Sequence, residues 1–537
     1  MASCVEPQPV ARLPEEPQPR PAVFQPDVPL RTLCGAAAAG TTGLSVLCYN
    51  VLLPNSVDGW WVYKYYDYDA PASVSAWPHR QQLLRDHILH AEADVVCLQE
   101  VAPESFEADF AFMAEAGYAH ELLNKGRMRN ATFWRRDRVS LLAAFSKDRT
   151  LTTQLRMLHP PLPEHEQEPA GKETPFNCTD TTSTFMPQQH CDPHATLAAD
   201  VFVVNCHLSA GPQADRRLRQ MHEALDAIRK LALKDAKGRA IAANGSGNDQ
   251  GSAAATADGQ GGRKSARKAA AAAPFADDPL ERLAIIVCGD FNSQGATAVR
   301  ELLVVGSVNP GFRESGDPTE RNQASTPVTS KTKSTPLGPF ADAYADGFGG
   351  ANAPSTLVCK SLDHQMIDLV TGAPTAAFVG EVRQMFARLS SDGEVMTRAD
   401  VERWLLAVNR AHSRGSEYRA AEAVLAAKAA AGKAPVLTPS DLLDIYKAEI
   451  DQGKYWGVEH DLGVVNGRGM YVAGSAPFEA RFDYLYYTPA TLACRAVRQP
   501  LTARQRQLLY EERVATLPNE WHPSDHLPLA AMFELHE

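Results

Sequence analysis

No stretch of this 537-residue chain is apolar and long enough to span a bilayer, so a membrane protein is not expected. The apolar core of a secretory signal is also missing near Met1, and the expected compartment is the cytoplasm. The ten cysteines include no C-x-x-C pair. Cys48, Cys97, Cys206 and Cys288 lie inside strand-like apolar runs, as buried thiols do, so a reducing compartment is indicated and a disulfide framework is not. Positive charge is in short supply, with a formal net charge of -11. That excludes bulk, sequence-blind binding to a polyanion, but not a nucleic-acid enzyme whose cations are metals and a few local arginines. At 44% hydrophobic and 22% charged the composition is that of a soluble globular protein, and the length suggests two or three domains.

Residues 1–43, rich in Pro and Ala without apolar periodicity, read as a disordered tail. Glu6, Glu15, Glu16 and Asp27 count against an organellar transit peptide. Short apolar strands are predicted at Leu44–Asn50, Asp94–Glu100, Ala199–Leu208, Ile285–Cys288, Arg481–Pro489 and Leu529–Leu535. Thr132–Trp134 and Val139–Phe145 read as a strand pair around an R-R-D-R turn, and Arg149–His194 as a loop or insertion. Helical spacing marks Leu83 to Leu89 and Gln213 to about Asp235, and residues 238–279 read as a low-complexity surface loop. Residues 374–461 break the pattern, being Ala-rich, helical and amphipathic. Within them Phe386–Leu405 resembles an EF-hand, echoed by Val436–Tyr446. Taking Gly393 as the sixth loop position puts Arg388 first and Ala399 twelfth, where oxygen ligands belong. The module thus looks like a pair of EF-hands that has lost its metal sites. Asp392, Glu394 and Asp400 are its candidate Ca²⁺ ligands, and its helices are candidates to brace the core or receive a protein partner.

Polar groups able to meet a metal or a phosphate recur at the strand ends: Asn50, Glu100, Asn205 with His207, Asp290 with Asn292, and Asp525 with His526, while Asp483 projects from a sixth strand. Each alone has a bland reading, such as an Asx turn for G-D-F-N or a hydrogen-bonded core histidine for His207. Their recurrence fits phosphodiester hydrolysis. That reaction needs hard oxygen ligands for Mg²⁺, an activated water and a donor to the phosphate oxygens.

The ordered set Y-N-V-L, L-Q-E-V, N-C-H-L, G-D-F-N-S, F-D-Y-L-Y-Y and P-S-D-H-L-P-L closely resembles the endonuclease/exonuclease/phosphatase superfamily. Y-N-V-L, W-P-H-R and P-S-D-H point to its deadenylase, nocturnin and Angel branch. The insertion is similar to that of plant and algal members described as calcium-binding. The resemblance implies an α/β fold: a four-layer α/β/β/α sandwich formed by residues 44–373 and 478–537. It also implies a site. Glu100 would be the chief Mg²⁺ ligand (Mn²⁺ able to substitute), helped by Asn50, with Asp525 a second metal-side carboxylate. Asp290 would activate the water and Asn292 hold the scissile phosphate. His526, oriented by Asp483, would donate to that phosphate, and His207 would contact the phosphate or leaving group. Leu52 stands where the apurinic-endonuclease branch has an acid, as it does in the deadenylase group. Asn205, Arg80, Trp60 and Tyr65 are candidate substrate contacts. The aromatic cluster is open to two readings, base stacking or plain loop packing.

The substrate expected from this resemblance is an RNA 3′ end, cut by a monomeric 3′–5′ exoribonuclease. The first rival is a phosphatase for a nucleotide or dinucleotide. A rival of another class is a calcium-responsive or scaffold protein working through the helical module.

Overall fold

The computed structural model describes residues 20–30, 43–158, 200–245, 278–316 and 326–536. Two sheets stack face to face. The seven-stranded sheet runs Ala22–Phe24, Leu492–Arg498, Leu529–Leu535, Gly43–Asn50, Val95–Val101, Arg129–Arg135, Tyr118–Leu122. The six-stranded sheet runs Ala341–Asp342, Asp483–Tyr487, Ala284–Asp290, Asp200–His207, Thr150–Met157, Val139–Lys147. In each sheet the two central strands that carry the polar ends are parallel neighbours: Gly43–Asn50 beside Val95–Val101, and Asp200–His207 beside Ala284–Asp290.

Period-two alternation divides each strand between two cores. Val46, Cys48, Val95 and Cys97 meet Val203, Ile286, Cys288 and Leu485 between the sheets. Their alternates Leu47, Tyr49, Val96 and Leu98 pack outward on Leu84 and Ile88 of helix Trp77–Leu89. On the other side Phe202, Val204, Ile285 and Val287 pack on helices Ala214–Gly245 and Ala298–Val305. The result is the four-layer α/β/β/α sandwich. No helix among the described residues is long and apolar enough to cross a membrane.

Several local expectations are corrected. Part of the tail is ordered: Ala22–Phe24 adds a parallel edge strand to Leu492–Arg498, and Leu30 is buried. Three apolar residues suffice for an edge strand, too few to register as a period in a Pro-rich context. Thr150–Met157, inside the predicted loop, is a sheet strand. Its threonines are β-branched and suit a pleated surface, which the Pro-, His- and Thr-rich stretch that follows disguises in the sequence. The remainder of that expected loop, and most of the expected loop at 238–279, lie outside the described residues. The R-R-D-R turn closes no hairpin. Arg129–Arg135 pairs with Val95–Val101 and Tyr118–Leu122, whereas Val139–Lys147 pairs with Thr150–Met157 in the other sheet.

Between Leu357–Cys359 and Phe478–Ala480, which pair antiparallel, the chain leaves the sandwich for one short helix, Asp363–Met366, and five longer ones: Ala376–Leu389, Arg398–Asn409, Ser416–Ala430, Pro439–Asp451 and Tyr455–Asn466. The last runs beyond Asp461. The module's core also takes Leu362, Met366 and Ile367 from before residue 374. Thr397 and Thr438 each start a helix with a reciprocal capping box, and an antiparallel bridge between Met396 and Leu437 joins the loops ahead of those helices.

Candidate active site

Three strands of the six-stranded sheet place one row of polar groups at its end. By register His207 lies opposite Asp290, and Asp290 opposite Asp483. A Cβ at Gly289 would stand 1.8 Å from the Cys206 carbonyl oxygen, so the glycine of G-D-F-N allows its strand to approach there. From the facing sheet come Asn50 and Glu100.

Asn50 is fully buried, and its amide nitrogen donates to Asp290 Oδ2 (3.1 Å) and Glu100 Oε1 (3.3 Å). His207 Nε2 lies 3.7 Å from both Glu100 Oε1 and Asp290 Oδ2. His526 Nε2 is 3.8 Å from Asp290 Oδ2, while its Nδ1 is 2.7 Å from Asp483 Oδ2. Glu100 and Asn292 hold left-handed backbones at φ 63° and 49°, as does Leu52 at 52°. Such conformations cost about 1–3 kcal/mol each and persist where the surroundings impose them. For Glu100 the cause is local: the ladder to Arg129–Arg135 is irregular between Leu98 and Val101, which turns the carboxylate into the cleft.

The electrostatics are those of buried acids crowded together. Burial, then Asp483 and Glu100, raise Asp290 to about 7 against the opposing pull of His526. Burial, with Asp525 beside it, raises Glu100. Burial also raises Asp525. For His526, burial alone would push the imidazole down, but Asp483 and Asp290 outweigh it and hold the ring well above its ordinary range. Burial and the Arg149 charge lower His207 to about 3, leaving it neutral.

The structure thus brings together Asn50, Glu100, His207, Asp290, Asp483 and His526, with Asp525 alongside. Asn292 is adjacent, but its amide nitrogen donates to Leu208 O (3.0 Å) and Asp290 Oδ2 (3.2 Å), so it braces Asp290 rather than standing free for a phosphate.

Two expected substrate contacts are structural instead. Asn205 is fully buried, donating to Leu98 O and Ala131 O and accepting from Gln99, which ties the two sheets together. Arg80, also fully buried, donates to the carbonyls of Val51, Leu52, Leu53 and Pro523 and to Asn55. It clamps the loop after Asn50 to the Ser524–His526 turn, and a guanidinium so engaged has no donor left for substrate. Trp60 and Tyr65 sit in a loop that packs against the helical module, with Tyr65 stacked on Trp456. The candidate calcium ligands do not form a set. Asp400 is the reciprocal member of a capping box and pairs with Arg403, Asp392 closes a turn onto Glu394 N and Val395 N, and Glu394 is exposed.

Arg149 escaped the sequence reading. Its carbonyl accepts from His207 N (3.0 Å) and from Asn130 (3.1 Å), which extends the His207–Asp290–Asp483 row by one strand. Among the described residues its guanidinium forms no ion pair. Nothing local in K-D-R-T signals this, because the register that places it depends on a strand the sequence concealed.

A two-sheet sandwich with buried acids and histidines at the strand ends defines the phosphoesterase class. The model of the Endonuclease/Exonuclease/phosphatase family matches residues 47–526, and the chain belongs to that family. Members of this family that act as nucleases use divalent metal ions. The chain is 24% identical over 383 residues to the "CCR4-Not complex 3'-5'-exoribonuclease subunit Ccr4" of Mycosarcoma maydis, a match covering 66% of this chain and 52% of that one. It is 26% identical over 287 residues to the "Carbon catabolite repressor protein 4 homolog 2" of Arabidopsis thaliana, covering 50% and 38%. The chain spans about half or less of the length of these curated relatives. Among solved structures it is similar to ANGEL2, a 2′,3′-cyclic phosphatase, at 17% identity and a TM-score of 0.42, covering 93% of this chain and 97% of that one.

Proposed function

We propose that this protein is a Mg²⁺-dependent phosphodiesterase that shortens RNA from its 3′ end. The observation that carries the reading is the convergence of Asn50, Glu100, His207, Asp290 and His526 in one cleft, with separations of 3.1–3.8 Å between their polar atoms. The 3′–5′ exoribonuclease activity of the Ccr4 relatives supports the choice of RNA.

The residues fit a hard divalent cation. Asp525 Oδ1 is buried without a hydrogen-bond partner, and burial raises Glu100, Asp290 and Asp525 alike, an excess of negative charge that a cation would relieve. Among the described residues no three Asp, Glu, His or Cys side chains already converge as a metal cage, and Mg²⁺ does not need one. It binds through one or two carboxylates and keeps several waters. Glu100, with Asn50 beside it, would hold the ion, with Asp525 as a second carboxylate on the metal side. When bound, Mg²⁺ supplies charge neutralisation at the phosphate.

The chain's own groups do the rest. Asp290, poised near neutrality and held by Asn50 and Asn292, accepts the proton of the attacking water. His526, cationic through Asp483, donates to a phosphate oxygen as charge develops there. Neutral His207 offers its Nε2 to the same region, and Arg149 supplies a cation at the rim.

The test is hydrolysis of 5′-labelled oligo(A) with Mg²⁺, with EDTA and in Glu100→Ala, with NADP⁺ as a parallel substrate. A 3′-shortening ladder that needs both Mg²⁺ and Glu100 is the expected result. Phosphate release from NADP⁺ without a ladder would replace RNA by a dinucleotide substrate.

A further inference from the structure

The helical module is not merely attached to the sandwich; it is built into one wall of the catalytic cleft. Lys64, almost wholly buried, pairs with Asp461 (2.9 Å) and Glu417 (3.2 Å), both on module helices. Tyr63 donates to Val408 O (2.7 Å) and Tyr68 to Gly467 O (2.9 Å). A Cβ at Gly463 would lie 2.3 Å from the Tyr68 ring, so that helix lies directly on the loop. Removing three charges from water is costly, and a buried triad of this kind fixes geometry better than it adds adhesion.

What this geometry fixes is an aromatic group. Trp456, on the same helix as Asp461, stacks on Tyr65 with ring centroids 4.1 Å apart and planes inclined 20°. It lies 5.4 Å from Trp61. Trp61, Tyr65 and Trp456 each keep part of their surface exposed, unlike the fully buried aromatics of the cores, although the Tyr65 hydroxyl itself is deeply buried. Tyr65 packs on the cluster containing Leu52, whose N–H is held by the Asn50 side chain. From Asn50 to Trp456 the chain of contacts is therefore short and continuous. Burial first, and then the charges of Asp525 and Glu100, raise the Tyr65 phenol well above its ordinary range. Two module arginines flank the same loop, Arg410 3.9 Å from the Tyr63 ring centroid and Arg414 5.8 Å from that of Trp60. Partly exposed flat rings near a candidate phosphate site, with cations on the same loop, are what a single-stranded nucleic acid recognises.

We propose that the inserted module supplies Trp456 to the substrate site, where the Trp456–Tyr65 stack takes a nucleobase of the RNA beside the scissile phosphate. The assignment rests on the phosphodiesterase reading and adds to it a specificity residue contributed from outside the catalytic sandwich.

The experiment compares full-length wild type, Trp456→Ala and Trp456→Phe on oligo(A) and on an oligonucleotide of equal length with abasic 3′-terminal positions. Trp456→Ala should raise the ratio of KM for oligo(A) to KM for the abasic strand, because only the base-bearing substrate loses its partner. The expected size is about tenfold, within the range for one base stacked on an aromatic side chain. Trp456→Phe should recover most of it. Equal KM in wild type and Trp456→Ala on oligo(A), or an equal rise on both substrates, would overturn the proposal, the second leaving only a structural role. Binding of fluorescein-labelled oligo(A) in EDTA, followed by anisotropy, separates the two readings if no variant turns over. Weaker binding by Trp456→Ala than by wild type and Trp456→Phe then supports base stacking on Trp456 even as the hydrolase reading falls. Indistinguishable binding by all three removes that stacking site as well.

Discussion

His526 Nδ1 lies 2.7 Å from Asp483 Oδ2, and both side chains are almost fully enclosed. The pair stores a proton where the proposed reaction needs a donor. Asp483→Asn should therefore lower kcat by about a hundredfold, the lower end of what a positioned acid or base contributes. The sign of the pH effect follows. Losing the Asp483 charge lowers the pKa of His526, so the proton is lost earlier as pH rises, and the alkaline limb of the kcat–pH profile should move to lower pH. An unmoved limb would mean that the donor is another group.

Asn205 and Arg80 make the opposite prediction, because their polar atoms face the protein. Asn205→Leu strands the Gln99 amide and the Leu98 and Ala131 carbonyls, each costing about 1–3 kcal/mol if left unpaired. Thermal unfolding should show the loss. At temperatures where the variant remains folded, KM for oligo(A) should stay close to that of wild type.

Lys64→Met leaves Glu417 and Asp461 buried without their cation, and a loss of about 3–5 kcal/mol in unfolding free energy is expected. Combining it with Glu417→Gln and Asp461→Asn should restore much of that, since the penalty belongs to unpaired charge and not to the missing attraction. Denaturant unfolding of the single and triple variants checks this. A triple variant no more stable than Lys64→Met would show that the attraction itself matters.

His522 gives stability its own pH dependence. It is buried behind the Ser524–His526 turn, its Nε2 donating to His526 O (2.8 Å), and burial lowers it to about 4. The unfolded chain binds a proton near 6.5 that the folded chain refuses until about 4. Stability contributed by this group is thus complete above pH 6.5 and declines between 6.5 and 4, by roughly 3 kcal/mol in all. His522→Gln, able to keep the bond to His526 O, should flatten urea-derived stability across that window.

Strand ends were readable because a charged or amide residue closing an apolar run has few structural uses, which is why Asn50, Glu100, Asp290 and His526 stood out. Hydrogen-bond commitment was not readable. Asn205 resembles a ligand by position, and only the facing sheet reveals that its donors are already engaged. Arg149 was hidden behind a strand whose threonines look like loop. The attachment of Lys64 depends on a partner 353 positions away, a distance at which local pattern is silent.

The hairpin of Leu357–Cys359 with Phe478–Ala480 has a kinetic meaning. Its two strands form a sheet of their own, apart from the two large sheets, and enclose roughly 120 residues; closing such a loop costs about 3 kcal/mol more than closing a four-residue turn. Asp483 follows only a few residues later, so ordering of the Asp483–His526 pair waits on that closure. A module that folds first brings its own two ends together and reduces the search to a short one. Assembly of the cleft is then paced by helices that contribute no group to the proposed proton transfers.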